Sequence, residues 1–234
     1  MVSNCVIQDS RSNGMNIFVG DTRVIGGTIQ NTGGHGLSLT RGASVAVSNI
    51  QIHDNAGSGI SAQRNSTVIV SNGSTISRNG GDGVFLTESS DGSVSNSTIT
   101  ANGANPTGNG HGVFVNMSTA EISGGNIAGN RQSGIHADFS ALQIGGGAIA
   151  NNHESGVDAC FGTAVVLGGV TVRGNDGNGF YVSTNSTTQV DGSTFNGNGW
   201  SGIRLEQGSK LQLLGPVMDV TGNGGWGLGA GLRG

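Results

Sequence analysis

The chain has 234 residues, including 46 Gly and only 2 Pro, with 10% charged and 4% aromatic residues and a net charge of −4. With only 10 Lys and Arg residues there is no cationic surface for a phosphate backbone, so we expect no nucleic-acid partner. No long apolar run and no signal-peptide core are present, so we expect neither a membrane span nor self-directed secretion of the chain as given.

A glycine followed by an apolar residue recurs along the whole chain. These anchor glycines are Gly14, Gly36, Gly59, Gly83, Gly112, Gly134, Gly156, Gly179, Gly202 and Gly227. Eight of the nine steps between them are 22 to 25 residues long, and the step from Gly83 to Gly112 is 29 residues. Such a repeat predicts a solenoid, and the length predicts that it forms one domain, residues 1–234.

Each repeat carries three short segments in which apolar residues alternate with polar ones. In the repeat that starts at Gly134, the apolar positions are Ile135, Ala137, Leu142, Ile144 and Ile149. Alternation with period two indicates strands, and no partner strand lies nearby in sequence. The strands must therefore pair with their counterparts one repeat away, at a rise of about 4.8 Å. We predict an all-β, three-sided, right-handed parallel β-helix of about ten coils.

An asparagine column supports the same fold. Its members are Asn55, Asn79, Asn102, Asn130, Asn152, Asn175, Asn198 and Asn223, each three residues after the apolar residue of the third strand. Stacked Asn side chains can hydrogen-bond along a solenoid axis and tolerate tight turns. We interpret them as a structural Asn ladder, because a column spread over most coils cannot mark one site.

The NxxxG-φ-x-φ repeat, where φ is apolar, resembles the right-handed parallel β-helix of the pectate-lyase-like superfamily. The resemblance covers Val2 to Leu228. That superfamily includes polysaccharide lyases, uronate epimerases, glycoside hydrolases and phage tailspikes. It implies a polysaccharide-recognising module that acts outside the cell or at a surface. It is informative about fold and much less so about activity, because function resides in sites grafted on folds.

In a strand that reads G-φ-x-φ-x, the two x positions face outward and stack in columns. The first column reads Asn16, Ser38, Ser61, Phe85, Phe114, His136, Asp158, Tyr181 and Arg204. The second reads Phe18, Thr40, Gln63, Thr87, Asn116, Asp138, Cys160, Ser183 and Glu206. From the fourth coil onward this face gathers aromatic, acidic, basic and imidazole groups, which predicts a binding strip.

The candidate catalytic residues on this strip are His136, Asp138, Asp158, Tyr181 and Arg204. A linear acidic polysaccharide laid along the axis would match their arrangement. For lyase or epimerase chemistry on a uronic-acid polymer, Arg204 would neutralise the sugar carboxylate. His136 or Tyr181 would then remove the proton on the neighbouring carbon.

The candidate substrate-binding residues are Phe85, Phe114, Asn116, His111, Trp200 and Glu206. The two phenylalanine rings would stack on sugar faces. His111 ends an insertion, Gly103 to His111, with nine residues where every other coil has three. The insertion would wall one end of the strip, and Trp200 would wall the other side.

Several alternatives remain open. Asp138 and Asp158 lie in adjacent coils, as the two carboxylates of a glycoside hydrolase would. A non-catalytic glycan-binding or tailspike-like segment would use the strip only to grip a polymer, and a merely solvated face would carry the aromatics as a register ladder. Known superfamily motifs are incomplete: the Asp-Pro-His-Glu of alginate epimerases is absent, and the Gly-His-Gly of polygalacturonases, at Gly34-His35-Gly36 and Gly110-His111-Gly112, lacks its partner motifs. The sequence therefore does not decide whether the chain is an enzyme.

Cysteine and acidic residues outside the strip indicate little chemistry. Cys5 and Cys160 lie about seven coils apart, more than roughly 30 Å, so we expect both to be free, with Cys160 exposed on the strip. No cofactor or metal site is predicted, and calcium at the turn residues Asp82 and Asp176 stays an open alternative to their role as turn formers. Because a solenoid needs caps, we expect flanking domains or an oligomer to cover its ends.

Overall fold

The computed structural model describes residues 1–105, 108–215 and 218–231 as one stack of short strands. In chain order the strands are β1 (Val2–Gln8), β2 (Met15–Ile17), β3 (Gly20–Gln30), β4 (Leu37–Leu39), β5 (Ala43–Ser48), β6 (Gln51–His53), β7 (Ile60–Ala62), β8 (Thr67–Ser71), β9 (Thr75–Ser77), β10 (Val84–Leu86), β11 (Asp91–Ser95), β12 (Thr98–Thr100), β13 (Val113–Asn116), β14 (Thr119–Ser123), β15 (Asn126–Ala128), β16 (Ile135–Asp138), β17 (Ala141–Gly145), β18 (Ala148–Ala150), β19 (Val157–Cys160), β20 (Ala164–Gly168), β21 (Thr171–Arg173), β22 (Phe180–Val182), β23 (Thr187–Asp191), β24 (Thr194–Asn196), β25 (Ile203–Glu206), β26 (Lys210–Leu214) and β27 (Leu228–Gly231). The predicted domain, residues 1–234, includes 106–107, 216–217 and 232–234, which lie outside the described residues. Within the described ranges no helix is long and apolar enough to cross a membrane.

The strands form three parallel columns around a common core. Ten of them, β2, β4, β7, β10, β13, β16, β19, β22, β25 and β27, make one sheet, which we call the strip sheet. The other seventeen form a column of longer strands and a column of shorter ones, merged into one sheet because β3 runs through both. The ladders are parallel and join each strand to its counterpart one coil away.

The coil that begins at Gly134 shows how the repeat builds the core. All five of its predicted inward residues are buried: Ile135, Ala137, Leu142, Ile144 and Ile149. Their counterparts in neighbouring coils lie directly above and below them in register. Burying one such isoleucine or leucine side chain contributes roughly 1.5–3 kcal/mol. The predicted alternation and the three-sided coil are confirmed.

The predicted Asn ladder is also confirmed. Nδ2 of each Asn donates a hydrogen bond of 2.9–3.0 Å to Oδ1 of the next Asn, through Asn55, Asn79, Asn102, Asn130, Asn152, Asn175, Asn198 and Asn223. Each ladder residue therefore satisfies polar groups that would otherwise be buried without a partner. Its position fixes the turn that leads into the strip sheet.

The anchor glycines are required by close packing at the same turn. A Cβ at Gly134 would lie 2.5 Å from Cγ2 of Ile149 and 2.7 Å from the backbone oxygen of Gly156. Contacts that short do not occur for real side chains, so only Gly can start this strand. The glycine and the ladder Asn thus hold every strip-sheet strand at the same height in its coil.

Candidate functional site

The outward residues of the strip sheet stack in the predicted columns. Phe85 pairs in register with Phe114, Phe114 with His136, and His136 with Asp158. The column continues through Tyr181 to Arg204 on the next two strands. We call the outward residues of β10, β13, β16, β19, β22 and β25 the strip.

Aromatic rings occupy the first half of the strip. The Phe85 and Phe114 rings stack with centroids 5.2 Å apart, and the Phe114 and His136 rings stack at 5.5 Å with planes within 7° of parallel. Both faces of the Phe114 ring are therefore covered by its neighbours. Phe85 instead lines a cavity of about 260 Å³, so a sugar face can pack on Phe85 more readily than on Phe114.

Two carboxylates hold the His136 ring, one at each nitrogen. Nε2 lies 3.2 Å from Oδ2 of Asp138, and Nδ1 lies 3.4 Å from Oδ2 of Asp158. Burial alone would lower the pKa of His136, but the two carboxylates outweigh it and raise the pKa to about 8. The imidazole is therefore mainly protonated at neutral pH.

His111 packs against the strip from the inserted loop. Its buried ring stacks on His136 at 4.8 Å and on Phe114 at 5.7 Å, and its Nδ1 has no hydrogen-bond partner among the described residues. Burial, helped by the charge of His136, lowers the pKa of His111 to about 3. A neutral ring here can pack against the charged His136 without repelling it.

Asp82 is buried behind this histidine and is not the turn acid that the sequence indicated. Its Oδ1 accepts a hydrogen bond of 2.8 Å from the His111 backbone N–H, and burial raises the pKa of Asp82 to about 7. Asp176, in contrast, is exposed and lies 3.0 Å from Nδ1 of His153. Among the described residues there is no group of three or more His, Cys, Asp or Glu that could hold a metal ion.

Glu206 joins the far end of the strip into a second cluster. The Tyr181 hydroxyl donates a 2.8 Å hydrogen bond to Oε2 of Glu206, and Nε of Arg204 donates a 2.8 Å bond to Oε1. Burial and Glu206 together raise the pKa of Tyr181 to about 12. The Arg204 guanidinium also lies 6.0 Å from the centre of the Trp226 ring, so it already has partners on two sides.

A cavity of about 710 Å³ opens beside this cluster, and we call it the Trp200 cavity. Its lining includes His153, Glu154, Asp158, Asp176, Asn178, Tyr181, Trp200, Arg204 and Glu206. Trp200 is 61% exposed and lines the cavity. Sequence reasoning missed His153, Glu154 and Asn178 because they lie in turns, where no alternation marks the direction of a side chain.

Cys160 differs from the sequence expectation. It is free, as is Cys5, but it is buried rather than exposed. Its Sγ accepts a 3.2 Å hydrogen bond from the Ser183 hydroxyl and lies 3.8 Å from Oδ1 of Asp158. Burial and that carboxylate raise the pKa of the Cys160 thiol to about 12. Asn116 lies one coil from Asp138 in the same column and is half-buried.

A larger depression of about 910 Å³ lies on a different face, along the longer strands. Its lining is mostly Thr, Ala, Val and Gln, with Asp91, Glu121 and Lys210 dispersed over it. None of the candidate site residues lines it, and it holds no histidine. The chemistry of the molecule is concentrated on the strip, and we therefore place the candidate site there.

Comparison with known proteins supports the architecture. The chain matches the family described as "Right handed beta helix region" over residues 1–136 and 105–231. Among solved structures, the A-module of the Azotobacter vinelandii mannuronan C-5 epimerase AlgE4 is similar at 15% identity and a TM-score of 0.62, covering 98% of this chain and 79% of that one. The A-module of AlgE6 from the same organism is similar at 16% identity and a TM-score of 0.53, covering 94% and 80%.

At these identities the two structures show the fold alone. A comparison with curated protein sequences finds no significant match. The family match, however, extends from the first residue to residue 231, nearly the whole chain. This chain belongs to the right-handed β-helix family.

Proposed function

We propose that this protein is a polysaccharide-recognising β-helix module whose strip binds a sugar chain laid along the solenoid axis. The observation that carries the proposal is the row of ring and ionisable groups from Phe85 to Arg204, whose side chains contact one another from Phe85 to Asp158 and continue in strand register through Tyr181 to Arg204. The row crosses six coils, a length of roughly 24 Å, with a cavity at each end. That shape suits an extended polymer better than a compact metabolite.

The side chains of the strip match the surface of a sugar. Hydroxyl groups can bond to carboxylates such as Asp138 and Asp158, while C–H faces pack on rings that line the two cavities, such as the half-buried Phe85 and the exposed Trp200. Both carboxylates remain partly exposed, at 17% and 19% of the side chain, so a ligand can reach them. The protein would meet its polysaccharide outside the cell or at a surface.

The binding proposal is tested with Trp200→Ala and a matched control. Trp200 is exposed, so its removal should weaken binding of a recognised oligosaccharide about tenfold or more and leave the melting temperature unchanged. Phe18→Ala removes another exposed aromatic, 59% exposed in the first coil, and should leave binding unchanged. Equal losses in both variants, or none in either, would contradict the assignment of the strip.

A second candidate is proton transfer on a uronic-acid polymer, as a C-5 epimerase or a lyase. The observation that favours it is the contact of His136 with both Asp138 and Asp158. Tyr181 lies in register with Asp158 on the following strand. The two similar structures are A-modules of mannuronan C-5 epimerases. In this candidate the ligand is the acidic polysaccharide expected from the sequence.

The pKa values assign the roles in that reaction. With a pKa near 8, His136 enters the reaction protonated at neutral pH and donates a proton; it can act as a base only above that pH. Tyr181 is a neutral phenol that donates a hydrogen bond to Glu206, so it can act as a base only after it has passed its own proton to a group such as the Glu206 carboxylate. Arg204 must likewise exchange Glu206 for the sugar carboxylate.

The catalytic candidate is tested with mannuronate and galacturonate polymers. Ultraviolet absorbance would report the double bonds made by a lyase, and proton NMR would report epimerised uronate. Turnover that disappears in His136→Asn and Tyr181→Phe, with binding retained, would establish the reaction. Binding of the polymers without any product would indicate a recognition module without this catalytic activity.

A further inference from the structure

The Trp200 cavity contains a slot two coils high. The Trp200 backbone N–H donates to the Gly177 oxygen, and the Gly177 N–H donates to the Glu154 oxygen, so these three residues occupy the same turn position in successive coils. The backbones of Trp200 and Glu154 are therefore separated by about 10 Å. Trp200, Gly177 and Glu154 all line the cavity, so the indole and the Glu154 side chain border the same space. Oε2 of Glu154 accepts a 3.4 Å hydrogen bond from the Ser133 hydroxyl in the preceding coil.

Each wall of this slot offers a surface that a ligand can use. The Trp200 indole is 61% exposed, and the Glu154 side chain is exposed with no basic partner among the residues that the structure describes. Tyr181 and Asp158 line the same cavity from the strip. The slot thus combines an aromatic wall, an opposing carboxylate and a polar base.

Negative charge predominates around the cavity. Four carboxylates line it, Glu154, Asp158, Asp176 and Glu206, together with the guanidinium of Arg204, and the charged His136 ring lies 3.4 Å from Asp158. That guanidinium is already bonded to Glu206, and His153 is in contact with Asp176. A carboxylate-bearing ligand would therefore enter a site whose only arginine is occupied and whose remaining charges repel it.

The protein itself shows how this edge of the strip holds a cation. The Arg204 guanidinium lies over the Trp226 ring while it bonds to Glu206, so indole and carboxylate share one positive charge. Trp200 and Glu154 offer the same two kinds of group on the lining of the cavity, two coils apart. No side-chain cation of the described residues occupies that slot.

We infer that the Trp200 cavity selects a sugar unit that carries a protonated amine. The inference rests on the proposed polysaccharide recognition and specifies its substrate class, a polymer that contains amino sugars with free amines. The sugar ring packs on Trp200 and its ammonium group faces Glu154, with Asp176 and Asp158 nearby. N-acetylation removes the positive charge of the amine, and a uronate unit carries a negative charge in its place.

The test compares three hexasaccharides with the whole chain: β-1,4-linked glucosamine, its N-acetylated form and a mannuronate oligomer. Isothermal titration calorimetry is run below the pKa of the sugar amine and at two salt concentrations. We expect the glucosamine hexamer to bind about tenfold or more tightly than the other two, with an affinity that falls as salt is added.

Isosteric variants separate the slot from general attraction to an acidic protein. Glu154→Gln should weaken binding of the glucosamine hexamer about fivefold or more and change binding of the N-acetylated hexamer less than about twofold. Glu121→Gln removes the same charge on the face of the longer strands and should change neither. An equal loss in the two variants would contradict the slot.

The outcomes also separate this inference from the proposed function. If the N-acetylated or mannuronate hexamer binds as well as or better than glucosamine, the inference is wrong and polysaccharide recognition stands. If none of the three binds and a wider glycan panel is also silent, polysaccharide recognition itself is wrong, and the inference is overturned with it.

Discussion

The first three coils and the six that follow share one scaffold but differ on one face. In the early coils the outward column of the strip sheet reads Asn16, Ser38 and Ser61, whereas from Phe85 to Arg204 it carries rings and charges. The inward residues on the same strands stay apolar throughout. Inward positions therefore determine the fold, and outward positions are free to acquire chemistry without a loss of packing.

Thiol labelling should show the largest difference between the early coils and the strip. Cys5 is exposed in the first strand, whereas Cys160 is buried in the strip, with its pKa raised from 9.0 to about 12. A rise of that size reduces the reactive thiolate about a thousandfold, and burial slows the reaction further. Iodoacetamide labelling followed by peptide mass spectrometry should modify Cys5 in the folded protein and Cys160 only after unfolding. Labelling of both at similar rates would contradict the burial of Cys160.

The Asn ladder should account for more stability than any exposed Asn. Asn152→Ala removes the acceptor of the Asn130 side chain and the donor to Asn175 and to the Ile127 backbone oxygen. Leaving these buried groups without partners should lower the free energy of unfolding by about 2–4 kcal/mol. The exposed Asn126→Ala serves as the matched control, with an expected change within about 0.5 kcal/mol. Chemical denaturation measures both, and equal values would contradict the ladder's role.

His136 should make stability depend on pH. Its pKa is raised from 6.5 to about 8 in the folded chain, so its contribution is fully present below pH 6.5 and is lost as pH rises through 8. The shift corresponds to about 2 kcal/mol, and His136→Asn should remove that dependence. NMR titration of the imidazole gives the pKa directly. A value near 6.5 in the native protein would show that the two carboxylates do not hold the ring.

The phenol of Tyr181 should show the smallest of these effects. Tyr181 is the only tyrosine of the chain, so ultraviolet titration of the phenolate reports this residue alone. Glu206→Gln should lower the pKa of Tyr181 from about 12 towards 10 without reaching it, because burial, the larger cause of the shift, remains. Glu88→Gln, on an exposed turn, should leave the titration unchanged. An unchanged curve in Glu206→Gln would mean that the Tyr181 and Glu206 side chains are not bonded.

The repeat allowed the fold to be predicted from the sequence in detail. Coil length fixes which residues stack, so the register of Phe114, His136 and Asp158 followed from alignment on the anchor glycines alone. Residues two apart on a strand face the same side, so the bond between Arg204 and Glu206 was also within reach of that reasoning.

Turn residues were harder to place because they follow no alternation. The His111 ring stacks on the His136 ring, whereas Asp82 is buried and accepts a hydrogen bond from the His111 backbone N–H. The burial of Cys160 depends on the Ser183 hydroxyl one coil away, which alternation along a single strand does not reveal. Periodicity thus predicts columns, while the contacts between side chains in those columns require the structure.

The central claim is that the strip, and not the rest of the solenoid surface, binds a sugar chain. Amide hydrogen exchange, measured with and without a bound oligosaccharide, tests it most directly. We expect protection in the turns and strands around Trp200, Tyr181 and His136, and none in the coils that carry Asn16 and Ser38. Protection spread evenly over all coils, or confined to the face of the longer strands, would contradict the account.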